Sequence, residues 1–387
     1  MGSFTLAWER PDLFRRVFSA IGTFVGMRGG DRIPVLIRKT EPQPIRVFLQ
    51  DGEQDQCEGI PEVGDWWNSN LAVQRSLAFA GYEHQFVWGK GAHTTEHAEA
   101  VFPDAMRFLW KDWPAPVEAR RAASQNLILR ETLDSNASWE VVAEVGEPCT
   151  NLVGDAQGNI YFTNTAENKI HCLDIQGSLI DAPKIPAGKP YTFTSDATPV
   201  FMANVDATCI LVENRAHVYV AEADGNLWLV KNDDTKKLVA SGLGEVSALA
   251  LTPDGLWLAA VGKQSRTGWS WRVREDGSLD SQQRYYWIHV PEWLDTPNMG
   301  NMLMDCEGHA YLATHIGVQI FDRNGRSRGI LPLPKAPTGI VESIAFGGVG
   351  LQTLYAIADG KLYCRPLKVQ GFHPAKEPVA LLTFHAG

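Results

Sequence analysis

Beyond Trp139 one unit keeps returning: an apolar strand, a turn written Asp/Pro-x-x-Gly, a strand ending in Tyr or Trp, a short loop and another strand. DAQGNIYFTN (155–164) is followed by NKIHCLD, ENRAHVYVAE (213–222) by GNLWLV, and TPDGLWLAAV (252–261) by WSWRV. DCEGHAYLAT (305–314) is then followed by GVQIFD, and GGVGLQTLYAIA (347–358) by GKLYCRPL. Successive units start about 40–58 residues apart, the spacing of four-stranded propeller blades. A lone blade cannot bury both faces of its sheet, so such units must stack around a channel. Thirteen Trp and 35 Gly suit many short strands joined by tight turns. The widest gap, 165–212, holds GKPYTFTSDATPVFMANVD, whose strand pattern is poor, so a sixth blade there is expected to be degenerate.

The first 113 residues have another rhythm. RVFSAIGTF (16–24), PIRVFLQDG (44–52) and HQFVWGKG (84–91) read as apolar strands of a parallel sheet covered on both faces. WWNSNLAVQRSLAFAGY (66–82), stopping at Gly81, and AEAVFPDAMRFLWKDW (98–113) read as helices. This is an α/β pattern with too few strands for a complete doubly wound sheet. The Pro-, Arg- and Ser-rich stretch 114–138 breaks both rhythms and reads as a linker. The expected organisation is therefore 1–113, linker 114–138, and a propeller over 139–387.

A formal charge of -10, from 35 basic and 45 acidic residues, argues against nucleic acid or an anionic membrane as partner. Six cysteines without a CxxC pair suggest neither a disulfide framework nor a zinc cage. The N-terminus lacks an apolar run of signal length, so the chain as written reads as soluble and cytoplasmic, or periplasmic or secreted if an upstream segment is missing. Asn136-Ala137-Ser138 fits a glycosylation sequon that matters only in a secretory pathway.

The run SALALTPDGLWLAAVGKQSRTGWSWRVREDGSLD, continued by MDCEGHAYLATHIGVQIFDRNGRSRG and TLYAIADGKLYCRPLKVQG, resembles the gluconolactonase/senescence-marker-protein family of six-bladed propellers, over roughly 139–370. AWERPDLFRRVFSAIGTF and PIRVFLQDGEQD, with FAGYEHQFVWGKGAHTTEHAEAVF, resemble the C-terminal half of an enterochelin-esterase-like or feruloyl-esterase-like α/β-hydrolase. The fold class implied is multidomain: a partial three-layer α/β-hydrolase followed by a propeller with one degenerate blade.

Acyl transfer on a hydrolase fold needs Ser, then an acid, then His, in that chain order. The resemblance implies Asp55 as the acid, with Asp51 its local competitor, and His93 as the general base; the bland alternative for each is a loop or capping residue. The nucleophile elbow would fall ahead of Met1. Ser3 would sit on a helix without flanking glycines, and Gly325-Arg326-Ser327-Arg328-Gly329, although a G-x-S-x-G, reads as a blade hairpin. His93-Thr94-Thr95-Glu96-His97 also fits an inverted zinc-protease motif, against the plainer reading of Glu96 in a helix's first turn.

In the resembled propellers a divalent cation, calcium or zinc, is held at the channel mouth by a Glu, two Asn and an Asp. Those positions fall on Thr150, Thr208, Ser247 and Gly300, none of which is anionic. Asn151 and Asn301 lie one residue away, which in a regular strand means the opposite face. A two-residue shift keeps the face, so Asp206, Glu245 and Asn298 could converge one step, roughly 6.6 Å, further along, unless they are solvated loop residues. Trp269, Trp271, Tyr285, Tyr286 and Trp287 would form either a sugar-stacking surface or blade packing.

The resemblance implies a carbohydrate-ester or sugar-lactone hydrolase, impaired where the Ser and the metal ligands are missing. The alternative is a non-catalytic binding or scaffold propeller with a vestigial esterase fragment. The incomplete sheet should leave strands such as PIRVFLQ with an unpaired edge, inviting self-association or cover by the propeller.

Overall fold

The computed structural model describes all residues except 57–58, 147–148, 183–184, 186–188, 203–205, 214, 216, 232–234, 335–339 and 382–387. The chain forms two compact units, Met1–Arg130 with Pro291–Trp293, and Glu131–Val290 with Leu294–Gly387. No helix among the described residues is long and apolar enough to cross a membrane.

The first unit runs α1 (Gly2–Glu9), β1 (Arg16–Ala20), α2 (Ile33–Lys39), β2 (Arg46–Gly52), α3 (Trp66–Ala80), β3 (Glu83–Gly89) and α4 (Glu96–Trp110). The sheet order is β1-β2-β3, all parallel. Val47 and Leu49 pack with Phe4 of α1, Ile37 of α2, and Val73 and Leu77 of α3. Phe48 packs on the other side with Ala105 and Leu109 of α4. Alternation along one strand thus builds three layers. Helix α3 starts where Asp65 accepts from the Asn68 amide (2.8 Å) and stops at Gly81, whose φ of 79° only glycine tolerates readily.

One expectation changes. PIRVFLQ does not present an edge: β2 is central, paired on both sides and buried throughout, because β1 and β3 flank it. The edges are β1 and β3. The stretch 114–138 also holds more structure than a linker, with a 3₁₀ turn at Arg121–Ala123 and the helix α5 (Leu127–Thr132).

The second unit is a β-propeller. Strand β4 (Glu140–Glu144) precedes a first sheet of β5 (Cys149–Gly154), β6 (Ile160–Asn164), β7 (Lys169–Leu173) and β8 (Leu179–Asp181). A two-stranded ladder follows, β9 (Tyr191–Phe193) with β10 (Pro199–Phe201). The next sheet is β11 (Ala207–Val212), β12 (Val218–Glu222), β13 (Leu227–Val230) and β14 (Lys236–Ala240). It is followed by β15 (Val246–Leu251), β16 (Trp257–Gly262), β17 (Thr267–Val273) and β18 (Leu279–Trp287). Then come β19 (Met302–Asp305), β20 (Ala310–Thr314), β21 (Gly317–Phe321) and β22 (Ser327–Leu331). The last set is β23 (Ser343–Gly347), β24 (Thr353–Ala358) and β25 (Lys361–Pro366), completed by β4, so the unit's first strand closes its last sheet.

The recurring Asp turns explain the sequence repeat. Asp155 Oδ1 accepts from the amides of Gln157, Gly158 and Asn159 at 2.8–2.9 Å, and Asp305 Oδ1 from those of Glu307 and His309. Asp322 does the same toward Asn324 and Arg326, so the G-x-S-x-G at 325–329 is the β21–β22 hairpin, with Ser327 buried in a strand. Trp271 and Tyr286 are core residues, Trp269 lies tilted beside Trp271, and Trp287 is exposed. Cys57 lies outside the described residues; the other five cysteines form no disulfide.

Candidate functional site

In the first unit, the loops after β2 and β3 come together because neither has a side chain where they touch. A Cβ on Gly52 would stand 2.1 Å from the Gly91 carbonyl oxygen. Across that contact the Glu53 amide donates to the Gly89 carbonyl (2.8 Å) and the Gln54 amide to that of Gly91 (3.0 Å). The turn continues with the Asp55 amide on the Gly52 carbonyl, and the Asp55 carbonyl accepts from Trp67 of α3. Asp55 is thereby held beneath His93. Its Oδ2 lies 2.9 Å from His93 Nδ1, and an acceptor-only carboxylate assigns the proton to Nδ1. The Asp55 side chain is fully buried; that of His93 is 29% exposed and meets the edge of Trp66.

Asp51 is the second buried acid here. Its Oδ1 accepts from the Gly52 amide (2.8 Å), and it does not take the Asp55 place on Nδ1. Burial, then its hydrogen-bonding contact with Asp55, pushes its carboxyl up to about 8 against the opposing Gly52 amide. Ser3 donates to the Phe18 carbonyl (2.8 Å). The two histidines of H-x-x-E-H take different partners: His93 that of Asp55, and His97 Nδ1 the Gln50 amide at 3.1 Å. Among the described residues no group of three or more His, Cys, Asp or Glu could hold a metal.

A larger residue at position 52 should break this arrangement. Gly52→Ala is expected to push the two loops apart, costing roughly 1–3 kcal/mol as overpacking against backbone does. It should also release His93 from Asp55. Loss of the downfield Nδ1–H resonance of His93 would register the separation, and its persistence would show that the loops can yield without parting.

In the second unit the inner strands enclose a channel of about 160 Å³. Thr208, Ser247, Asn301, Ser343 and Asn151 line it, with Met302, Met304 and Phe346 beside them and Phe372 and His373 at the ends of the inner strands. That last end is covered by β26 (Gly371–Phe372), a fifth strand on the inner edge of its sheet, pairing Met304 with Phe372. No Asp, Glu, Lys or Arg lines the channel among the described residues. Its one histidine, His373, is 7% exposed and lowered to about 4, first by burial and then by Lys376, against Asp155 and a Gly154 backbone hydrogen bond.

The polar groups here serve the backbone. Thr208 donates to the Ala221 carbonyl (3.3 Å) and Ser247 to that of Gly300 (3.2 Å). Asn301 accepts from the Ile344 amide (2.7 Å) and donates to the Ile344 carbonyl (2.7 Å), while Ser343 donates to Asn301 Oδ1. A Cβ on Gly300 would meet the Glu342 carbonyl oxygen at 2.4 Å, so this backbone has no room there for any side chain. The side chain of Thr150 lies outside the described residues.

Asp206 and Asn298 are exposed, and Glu245 is ion-paired with Lys263 (2.7 Å); none of the three lines the channel. Period-two counting fails at β5, β11 and β15 for one reason. The register slips between Thr150 and Val153, between Ala207 and Cys209, and between Val246 and Ala248, so inner strands open on bulges. A bulge re-aims the side chains around it. Asn151, at φ 55°, stands on such a bulge and lines the channel although one-residue counting sends it to the opposite face. The residues here do not fit a hard divalent cation, which needs several anionic or carbonyl oxygens free to converge.

No family model matches the chain. A pentonolactonase of Haloferax volcanii is 28% identical over 141 residues, 36% of this chain and 46% of that protein, so the match spans less than half of the relative. A solved gluconolactonase from Xanthomonas campestris superposes with a TM-score of 0.53 at 15% identity, covering 62% of this chain and 93% of that one. A second structure, provisionally assigned as a gluconolactonase, gives 0.54 at 11%, covering 64% and 98%. The propeller is of the gluconolactonase type in fold.

Proposed function

We propose that this chain is a propeller of the lactone-hydrolase kind whose channel binds a small, uncharged, sugar-derived ester or lactone, without a divalent-cation site built from its own residues. The observation that carries this reading is the lining: among the described residues it offers hydroxyl and amide groups and no Asp, Glu, Lys or Arg, and the backbone at nearby Gly300 has no room for a side chain. Such a wall suits a neutral polyol-like ligand, whose hydroxyls exchange hydrogen bonds without desolvating a charge. The two-stranded ladder β9–β10 is read as a shortened sixth blade, since β9 lies against β5 on one side and β11 on the other. Similarity to a pentonolactonase supports the ligand class.

Calorimetry with neutral aldonolactones, with and without calcium, tests this. Binding should be calcium-independent and lost in Ser247→Trp, which fills the channel. Calcium-dependent turnover abolished by Glu245→Gln would overturn it and restore the hydrolase with its metal.

A second reading rests on the Asp55–His93 pair at 2.9 Å. Its geometry suits a general base of acyl transfer, with Nδ1 held by the carboxylate. Under it the first unit is part of an α/β-hydrolase, and the β1 edge is where a further strand, or a second copy, would add.

A further inference from the structure

Behind His93 two carboxyls are buried with half of their acceptors unanswered. Asp51 and Asp55 both have fully buried side chains. Asp51 Oδ1 is satisfied by the Gly52 amide and Asp55 Oδ2 by His93 Nδ1. The remaining oxygens, Asp51 Oδ2 and Asp55 Oδ1, find no donor. Yet the two carboxyls are neighbours: the Asp55 amide closes onto the carbonyl of Gly52, next to Asp51 in the chain, and Asp55 helps push the Asp51 carboxyl up. Two ionised carboxylates in contact, each with an orphaned buried oxygen, would combine like-charge repulsion with two desolvation costs. One proton removes both, because a carboxylic acid donates where a carboxylate only accepts.

We propose that Asp51 and Asp55 share one proton between Asp51 Oδ2 and Asp55 Oδ1, so that the acid behind His93 carries a single negative charge and Asp51 acts as a positioning residue for the Asp55–His93 pair. The groups that face Asp51 agree with this. From its own strand end comes the Gly52 amide, from α3 the neutral Asn70, and from the following turn Asp55, none of them a cation, while the titratable His93 faces the far oxygen of Asp55. The Asn70 amide nitrogen itself points elsewhere, to the carbonyls of Gly22 and Trp66. The proton-bridged pair holds Asp55 from the side opposite the imidazole. Its free rotation would otherwise spoil the tautomer that a general base needs.

The upward shift of Asp51 to about 8 sets the pH consequence. A carboxyl whose folded value is raised above its unfolded one stabilises the fold fully below about 3.8, and that contribution is lost as pH rises through about 8. In Asp51→Asn the amide donates to Asp55 without titrating, so the alkaline loss should flatten.

This deepens the acyl-transfer reading and rests on it only for its purpose; the readout is independent of turnover. Infrared spectra of the full chain at pH 6 should show one buried protonated carboxyl, disappearing as pH passes through about 8. Asp51→Asn should abolish that band and keep the His93 Nδ1–H resonance, whereas Asp51→Ala should weaken both. Absence of a protonated-carboxyl band in the native protein at pH 6 would overturn the proposal, as would its survival in Asp51→Asn. Should the variants not fold, the native spectrum alone decides. A band with no esterase turnover would leave the shared proton standing and count only against the acyl-transfer reading.

Discussion

Between pH 6.5 and pH 4 the propeller is expected to lose about 3 kcal/mol of stability through His373 alone, since each pKa unit is worth about 1.4 kcal/mol. His373 is buried and held neutral, its folded value depressed from 6.5 to about 4. A histidine lowered in this way stabilises the fold above its unfolded value, and the contribution is lost as pH falls through the folded one. The charge would arise directly after β26, a strand that pairs only through Gly371 and Phe372, where Gly371 lies so close to the Phe346 ring that a Cβ would stand 2.2 Å from it. Hydrogen-exchange protection of the β19 amides at pH 7 and pH 4 would measure the loss. His373→Gln, which cannot titrate, should remove most of the difference, and an acid limb equally steep in that variant would sink the explanation.

Replacing Asn301 by alanine should cost roughly 2–4 kcal/mol. Its amide serves both the N–H and the C=O of Ile344, and each buried backbone group left without a partner costs about 1–3 kcal/mol. The side chain therefore ties the start of β19 to β23 and is not free to ligate. Urea unfolding of Asn301→Ala followed through the propeller would read this. Unchanged stability with lost calcium or ligand binding would instead make Asn301 a ligand. Asn301→Asp should restore only the acceptor half, because its carboxylate would face the Ile344 carbonyl.

The propeller was legible because its turns are local. An Asp that accepts from amides two to four residues ahead, closed by a glycine at positive φ such as Gly158 (99°) or Gly308 (84°), needs nothing distant to form. The α/β rhythm of the first unit was legible for the same reason, and its helix α3 stops at Gly81 where the pattern ends. Strand order was not. Nothing local tells an apolar strand whether it is central or an edge, and PIRVFLQ is central because β1 and β3 pair to either side of it.

The candidate sites divide along the same line. Amino-acid identities alone determined that Thr208, Ser247 and Gly300, where the propeller resemblance would put metal ligands, carry no anion, and that Asp51 and Asp55 both precede His93. Tertiary structure decided the rest. The bulges at the starts of β5, β11 and β15 broke the two-residue parity that would have brought Asp206 and Glu245 to the channel, and put Asn151 there instead. The choice of Asp55 over Asp51 on His93 came from a backbone contact at Gly52. Local hydrogen bonds are encoded within a few residues, whereas the direction of a side chain at a bulge, and which of two buried acids keeps a proton, depend on atoms that the fold alone brings into contact.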